Sequence, residues 1–381
     1  MTPIYLDYNA TTPLDPQVIE AMQPYLREQF GNPSSAHAYG RAAREAVERA
    51  RFQVAALLGA QPGEIVFTGG GSEASNLAIK GVVFKALGKS PAGDLHIVTS
   101  TVEHPATLEP CAFLERLGVV VTRVPVDRFG SVDLDALRAA LQRPTRLVSI
   151  IHAQNEVGTL EPIQEIATLA HAQDALVHVD AAQSAGKLPV DVAELGVDLL
   201  TLAGHKLYAP KGVGALYVRK GLDLEPLIHG AGHESGRRAG TENVGHLVAL
   251  GVACDLARRA LPAATETLRR LRDRLWERLH TGLGDRLVLN GHPERRLPNT
   301  LNASFLGHVG AELLAAVPEI AASTGSACHE GDVQLSPVLV AMQRPADIAR
   351  GSVRLSVGRF TTDSEVDRAA EALVRRSGPG R

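Results

Sequence analysis

The chain has little of what disulfide-stapled, metal-bound or membrane-embedded proteins depend on. Only three of its 381 residues are cysteine, Cys111, Cys254 and Cys328. Three widely separated cysteines are neither a disulfide framework nor a zinc-ligand pattern, and they suit a reducing cytoplasm. No apolar run approaches the length of a membrane span. The start, Met1-Thr2-Pro3-Ile4-Tyr5-Leu6-Asp7, lacks the layout of a signal peptide. There is no block of like charge, and the net charge of −3 gives no general attraction to nucleic acid. Lysine is scarce too, seven of the 39 basic residues. What remains is ordinary globular material, 45% hydrophobic and 21% charged. Its length calls for two domains, or a large one with a smaller companion.

Short apolar runs alternate with helical patterns over the first two thirds. Glu64–Thr68, His96–Ser100, Val119–Pro125, Leu147–His152, Leu176–Ala181, Leu199–Ala203 and Gly214–Val218 read as strands. Ala36–Leu58, with Ser34 and Ser35 able to cap it, Ser72–Leu87 and Ile163–Gln173 read as helices. Such alternation indicates an α/β layer with a mostly parallel sheet, whose ligands bind beyond the carboxyl ends of the strands. A long helical region follows Gly236–Val244, with Pro262 as its expected break. The strand-like runs Arg286–Leu289, Thr300–Phe305, Ile320–Ser323 and Val353–Val357 then give a smaller α+β unit.

The chemically capable residues fall at strand ends. Lys206 ends an apolar run in Gly204-His205-Lys206-Leu207-Tyr208. A desolvated lysine near another cation loses basicity and can attack a carbonyl. Asp180, in Val177-His178-Val179-Asp180, needs a partner when buried. Either a helix start or a protonated pyridine nitrogen would serve. Thr68-Gly69-Gly70-Gly71-Ser72-Glu73 turns from strand into helix, where free N–H groups suit a phosphate. His104 and Asn155 follow strands of their own, with ring stacking, proton transfer or loop structuring open to them. Arg354 shares a strand face with Ser356, and its fork matches a carboxylate. Cys111 and Cys254 sit in apolar helical contexts and read as packing. Cys328 lies in a small, polar loop beside His329, where a thiol is expected to be accessible, and the roles of nucleophile and plain loop thiol are both open to it.

Taken in order, these segments resemble the cysteine desulfurases, pyridoxal 5'-phosphate (PLP) enzymes of fold type I. The resemblance spans nearly the whole chain. It runs from Tyr5-Leu6-Asp7-Tyr8-Asn9-Ala10-Thr11-Thr12-Pro13 and Gly31-Asn32-Pro33-Ser34-Ser35 through Glu103-His104, Asn155-Glu156-Val157-Gly158, Asp180-Ala181-Ala182-Gln183 and Gly204-His205-Lys206. It continues through Gly240-Thr241-Glu242-Asn243, Gly325-Ser326-Ala327-Cys328 and Arg354-Leu355-Ser356. The family implies a large PLP-binding domain, residues 16–260, around a mostly parallel seven-stranded sheet. A small domain, 261–381, would carry the cysteine loop, and residues 1–15 would join it.

The resemblance also implies roles. Lys206 would hold the cofactor covalently, His104 would stack on its ring, and Asp180 would pair with its nitrogen. Asn155 and Gln183 would lie near its phenolic oxygen. Gly71, Ser72 and His205 would hold its phosphate, with Thr241 reaching the partner's phosphate in a homodimer. Asn32 and Arg354 would take the substrate carboxylate. Lys206 or His104 would take the α-proton, and Cys328 would attack the sulfur of L-cysteine. The products would be L-alanine and a persulfide, passed on to an acceptor such as an iron–sulfur scaffold or a thiolation enzyme. No metal, nucleic acid or membrane is implied. Two departures stand out. Ala203 replaces a hydroxyl residue common in the family. The loop's Cys328-His329 start and Ser336-Pro337-Val338-Leu339 end are similar to selenocysteine lyases, although Pro105 after the histidine is not. Selenocysteine lyase and a sulfur-transfer scaffold of low activity are the alternatives.

Overall fold

The computed structural model describes residues 2–324 and 335–378; Cys328 and its immediate loop lie outside them. Seven strands form one sheet in the order Ile65–Thr68, Gly214–Val218, Leu199–Ala203, Leu176–Asp180, Leu147–Ile151, His96–Ser100, Val120–Val124. Only Gly214–Val218 runs against its neighbours; the other pairings are parallel. The central strands Leu147–Ile151 and Leu199–Ala203 are buried at all five positions. A parallel sheet covered by helices on both faces has this property. Successive residues alternate between two clusters: Leu199 belongs to the one that holds Leu77, Ala78 and Val82 of the helix Gly71–Leu87, while Leu200 and Leu202 belong to the one that holds Ala46, Ala50 and Val54 of the helix Ala38–Leu58. The expected fold-type I architecture is therefore present.

A second core surrounds a three-stranded antiparallel sheet, Ser352–Ser356, Thr300–Phe305 and Leu287–Asn290. Ile4 and Leu6 belong to this core, and the short strand Ile4–Tyr5 pairs in parallel with Ile320–Ala321. The chain start thus crosses back to its end, and this puts residues 7–12 between the two cores.

Two local expectations are corrected. The helix Val244–Leu283 runs unbroken through Pro262 for 40 residues. A proline removes one intrahelical hydrogen bond. Here that loss falls on the partly exposed stretch between Ala257, in the first core, and Leu268, in the second, where water can satisfy the freed carbonyl. The helix Ala38–Leu58 is capped by the His37 ring, which accepts from Gly40 N, and not by Ser34 or Ser35. Those two residues lie instead in the turn that Asn32 organises, its Oδ1 accepting from Ser34 N at 2.9 Å.

Candidate active site

The carboxyl ends of the parallel strands open into a cavity of about 510 Å³, lined among others by Ser72, His104, Asn155, Asp180, Gln183 and Lys206. Each arrives from the end of a strand or the start of a helix. Lys206 closes the 3₁₀ turn Gly204–Lys206 directly after the strand Leu199–Ala203. Its Nζ donates to Asn9 O and, at 2.7 Å, to Ala10 O. Burial and the nearby Arg354 lower its pKa to about 8, against the pull of Asp7 and Asp180. An amine of that kind is still mostly charged at pH 7, but its uncharged fraction is far larger than that of an ordinary lysine, which favours nucleophilic chemistry.

Asp180 ends the strand Leu176–Asp180 and is buried. Its Oδ1 accepts from Ala182 N at 2.9 Å, but no helix starts there, so the carboxylate is not a helix cap. Burial raises its pKa, opposed by that hydrogen bond, His104 and Lys206. A buried acid facing a cavity is matched by a cationic nitrogen placed there.

His104 caps the helix Pro105–Arg116, its Nδ1 accepting from Ala106 N at 3.1 Å. That acceptor role fixes the neutral tautomer with the proton on Nε2. Burial lowers the ring's pKa, with Asp180 acting the other way. His205 Nδ1 pairs with Thr11 Oγ1 at 3.2 Å, and burial with Lys206 lowers its pKa to about 4. Asn155 Oδ1 accepts from Gln154 Nε2 at 3.3 Å, which turns its NH₂ away from that contact.

At the other end lies the helix Gly71–Leu87. Its N-cap, Gly70, has φ 149° and supplies no side-chain cap, so the first N–H groups stay available. A Cβ at Gly70 would meet open space, whereas one at Gly71 would sit 3.0 Å from Ala203 Cβ. The turn is thus pressed against the strand below and open above.

Arg354 flanks the cavity from the strand Ser352–Ser356. Nη2 pairs with Asp7 Oδ1 at 2.8 Å and Nη1 donates to Asn155 O at 3.1 Å. Its Nε is buried without a partner among the described residues. Arg354 itself does not line the cavity but reaches it through Asn155, and two further candidates lie away from it. Asn32 is exposed in its turn, and Thr241 is exposed on the loop after Gly240. The hub that sequence reading left without a role is Asn9. It is buried, donates to Thr300 Oγ1 at 2.8 Å, and offers its carbonyl to both Lys206 and Gln183.

The profile described as Aminotransferase class-V matches residues 4–369. The chain belongs to this family. It is 48% identical over 98% of its length, and 94% of the relative's, to "Cysteine desulfurase IscS" of Dictyoglomus turgidum. It is 46% identical to the protein of the same name in Methanosarcina thermophila, covering 97% of this chain and 91% of that one. Among solved structures, a "NIFS-LIKE PROTEIN" superposes with a TM-score of 0.91 at 37% identity, over 98% of this chain and 99% of that one. "SspA in complex with cysteine" gives 0.83 at 37% identity over 94% and 99%.

As a class-V aminotransferase family member the enzyme depends on PLP, and the cavity fits that cofactor. It offers a phosphate end of uncapped helix N–H groups, a lysine of depressed pKa, and a buried carboxylate.

Proposed function

We infer that this enzyme is a PLP-dependent cysteine desulfurase that converts L-cysteine to L-alanine and holds the sulfur as a persulfide on Cys328. The observation that carries the reading is the meeting of Lys206, Asp180, His104 and the bare helix start at Gly71 in one cavity. Bound there, PLP supplies an electron sink for charge developing at the substrate α-carbon. The remaining work falls to the chain. Gly71, Ser72 and His205 hold the phosphate, with Thr241 completing the site of a partner subunit. Asp180 would keep the ring nitrogen protonated, His104 would cover the ring, and Asn155 and Gln183 would donate toward the phenolic oxygen. Arg354 and Asn32 take the substrate carboxylate. Because Nε2 of His104 already carries its proton, Lys206 is the base that removes the α-proton.

The sulfur step balances without an added oxidant. The Cys328 thiolate attacks the substrate sulfur, the carbon–sulfur bond breaks, and its electron pair stays with the carbon skeleton. A proton then completes alanine, and both sulfur atoms remain in the persulfide. An acceptor protein, an iron–sulfur scaffold or a thiolation enzyme, collects the outer sulfur in the cytoplasm. The homodimer reading draws support from the exposed Thr241 and from exposed large apolar side chains. Leu26, Phe30 and Tyr39 are 61%, 74% and 58% exposed, and the last two rings stack at 5.5 Å. We place the domain division within the helix Val244–Leu283, near residue 260, where its contacts pass from one core to the other.

Lys206→Ala tests the assignment. The purified variant is expected to lose the visible band of the bound cofactor and to make alanine at least a hundredfold more slowly, the order of magnitude of a covalent and general-base role. Turnover within about tenfold of wild type would contradict it.

A further inference from the structure

Lys187 is a buried amine with no role in the reaction as described. It is 7% exposed and sits in the tight turn Ser184–Leu188, its N–H bonded to Ser184 O at 3.0 Å and its carbonyl to Thr265 Oγ1 at 2.8 Å. Gly186, at φ 74°, presses this turn so close to Leu207 that a Cβ would come within 2.3 Å of its Cδ2. The turn is therefore packed against the side chain of Leu207, the residue that follows Lys206. Burial above all, with Lys206 and Arg354 opposing a charge, lowers the pKa of Lys187 to about 7. Tyr8, Tyr208 and Arg359 face it across a second cavity of about 270 Å³. The nearby carboxylates are already engaged, Asp15 by Arg359 at 2.5 Å and Asp7 by Arg354 at 2.8 Å. The hydrogen bond that holds the amine runs to Gln183 Oε1 at 3.1 Å.

That bond, together with the Asn9 carbonyl on the other side, sets the orientation of the Gln183 amide. A donating amine demands the amide oxygen, so the NH₂ group faces the other way. One of its hydrogens goes to Asn9 O at 3.0 Å. The second is left for the cavity that Gln183 lines with Lys206 and Asp180. We propose that Lys187 is a positioning residue: it locks the Gln183 amide so that the cofactor's phenolic oxygen meets an N–H donor and not the amide oxygen. This rests on the PLP reading above and adds to it a residue that touches neither cofactor nor substrate.

The test compares holoenzyme of wild type, Lys187→Met, Lys187→Arg, Gln183→Leu and the Lys187→Met/Gln183→Leu double variant. Two quantities are read: cofactor retention in equilibrium dialysis, and the pH midpoint of the bound cofactor's visible absorbance. Each single loss of the donor is expected to weaken retention by about tenfold, the scale of one hydrogen bond to a charged oxygen. Each should also raise the midpoint, because an anionic oxygen stripped of a donor holds the neighbouring proton more tightly. The double variant should be no worse than either single one. Lys187→Arg, with room in the adjoining cavity, should restore the midpoint. An unchanged midpoint in Lys187→Met, or additive losses in the double variant, would overturn the proposal. So would a wild-type midpoint in Gln183→Leu, which leaves Lys187 untouched and decides the matter even if Lys187→Met does not fold. Wild-type protein that takes up no PLP would instead sink the cofactor assignment, so the two failures are distinct.

Discussion

At the scale of single residues, the site is a set of groups held away from their ordinary ionisation by burial. Glu103, beside His104, shows what this does to stability. Burial pushes its carboxyl up to about 8, against a 2.6 Å hydrogen bond from Ser100 and with a further push from Asp180. The folded state therefore keeps a proton that the unfolded chain releases above about 4.5. Stability contributed by this group is full below the unfolded value and is lost as pH rises toward 8. Glu103→Gln, a neutral isostere, is expected to raise the melting temperature of the apoprotein at pH 8 relative to wild type, with the gain shrinking toward pH 4.5. Equal gains at both pH values would contradict the assignment. Cys111 and Cys254 behave as read from their apolar surroundings. Both are fully buried, and burial raises the pKa of each thiol, that of Cys111 to about 12. Lys187 and Asn9 gave no such signal. Asn9 acts through hydrogen bonds across 146 to 291 positions of chain, and Lys187 bonds Gln183 four residues away within a non-helical turn, which helical periodicity does not mark.

At the scale of elements, the glycine turn before the helix Gly71–Leu87 joins backbone geometry to cofactor binding. Gly70 has room for a side chain but a φ of 149° that L-residues avoid. Gly70→Ala is thus expected to cost about 1–3 kcal/mol through conformation alone, read by denaturant unfolding, and to weaken cofactor retention as the helix start shifts. A loss below about 0.5 kcal/mol would show that the turn relaxes freely. The strands were legible because buried apolar runs ended in chemically distinctive residues; Leu199–Ala203, Gly214–Val218 and Thr300–Phe305 match residue for residue. Helix boundaries were less so. The His37 cap depends on a ring nitrogen reaching Gly40, and the continuity through Pro262 depends on packing at both ends of one helix.

At the scale of the whole molecule, the first dozen residues carry the coupling between the two cores. Ile4 and Leu6 are anchored in the smaller core, while Asn9 and Ala10 receive the hydrogen bonds of Lys206. Arg354, in the smaller sheet, bonds Asp7 and Asn155. The site is therefore assembled from both units, and under the proposed function Thr241 would extend it to a second subunit. Thr241→Ala should weaken cofactor retention, and Ala203→Ser, which places a hydroxyl beside Gly71, should partly restore it. Fully active monomer in sedimentation would refute the shared site. The central claim is the transfer of sulfur from cysteine to Cys328, and one measurement tests it most directly. Enzyme is mixed with L-cysteine and no acceptor, and the released alanine is compared with the mass gained on the Cys328 peptide. The account predicts one added sulfur atom for each first-turnover alanine, and in Cys328→Ser an intact cofactor band with neither product. Alanine and free sulfide from Cys328→Ser at the wild-type rate would contradict it.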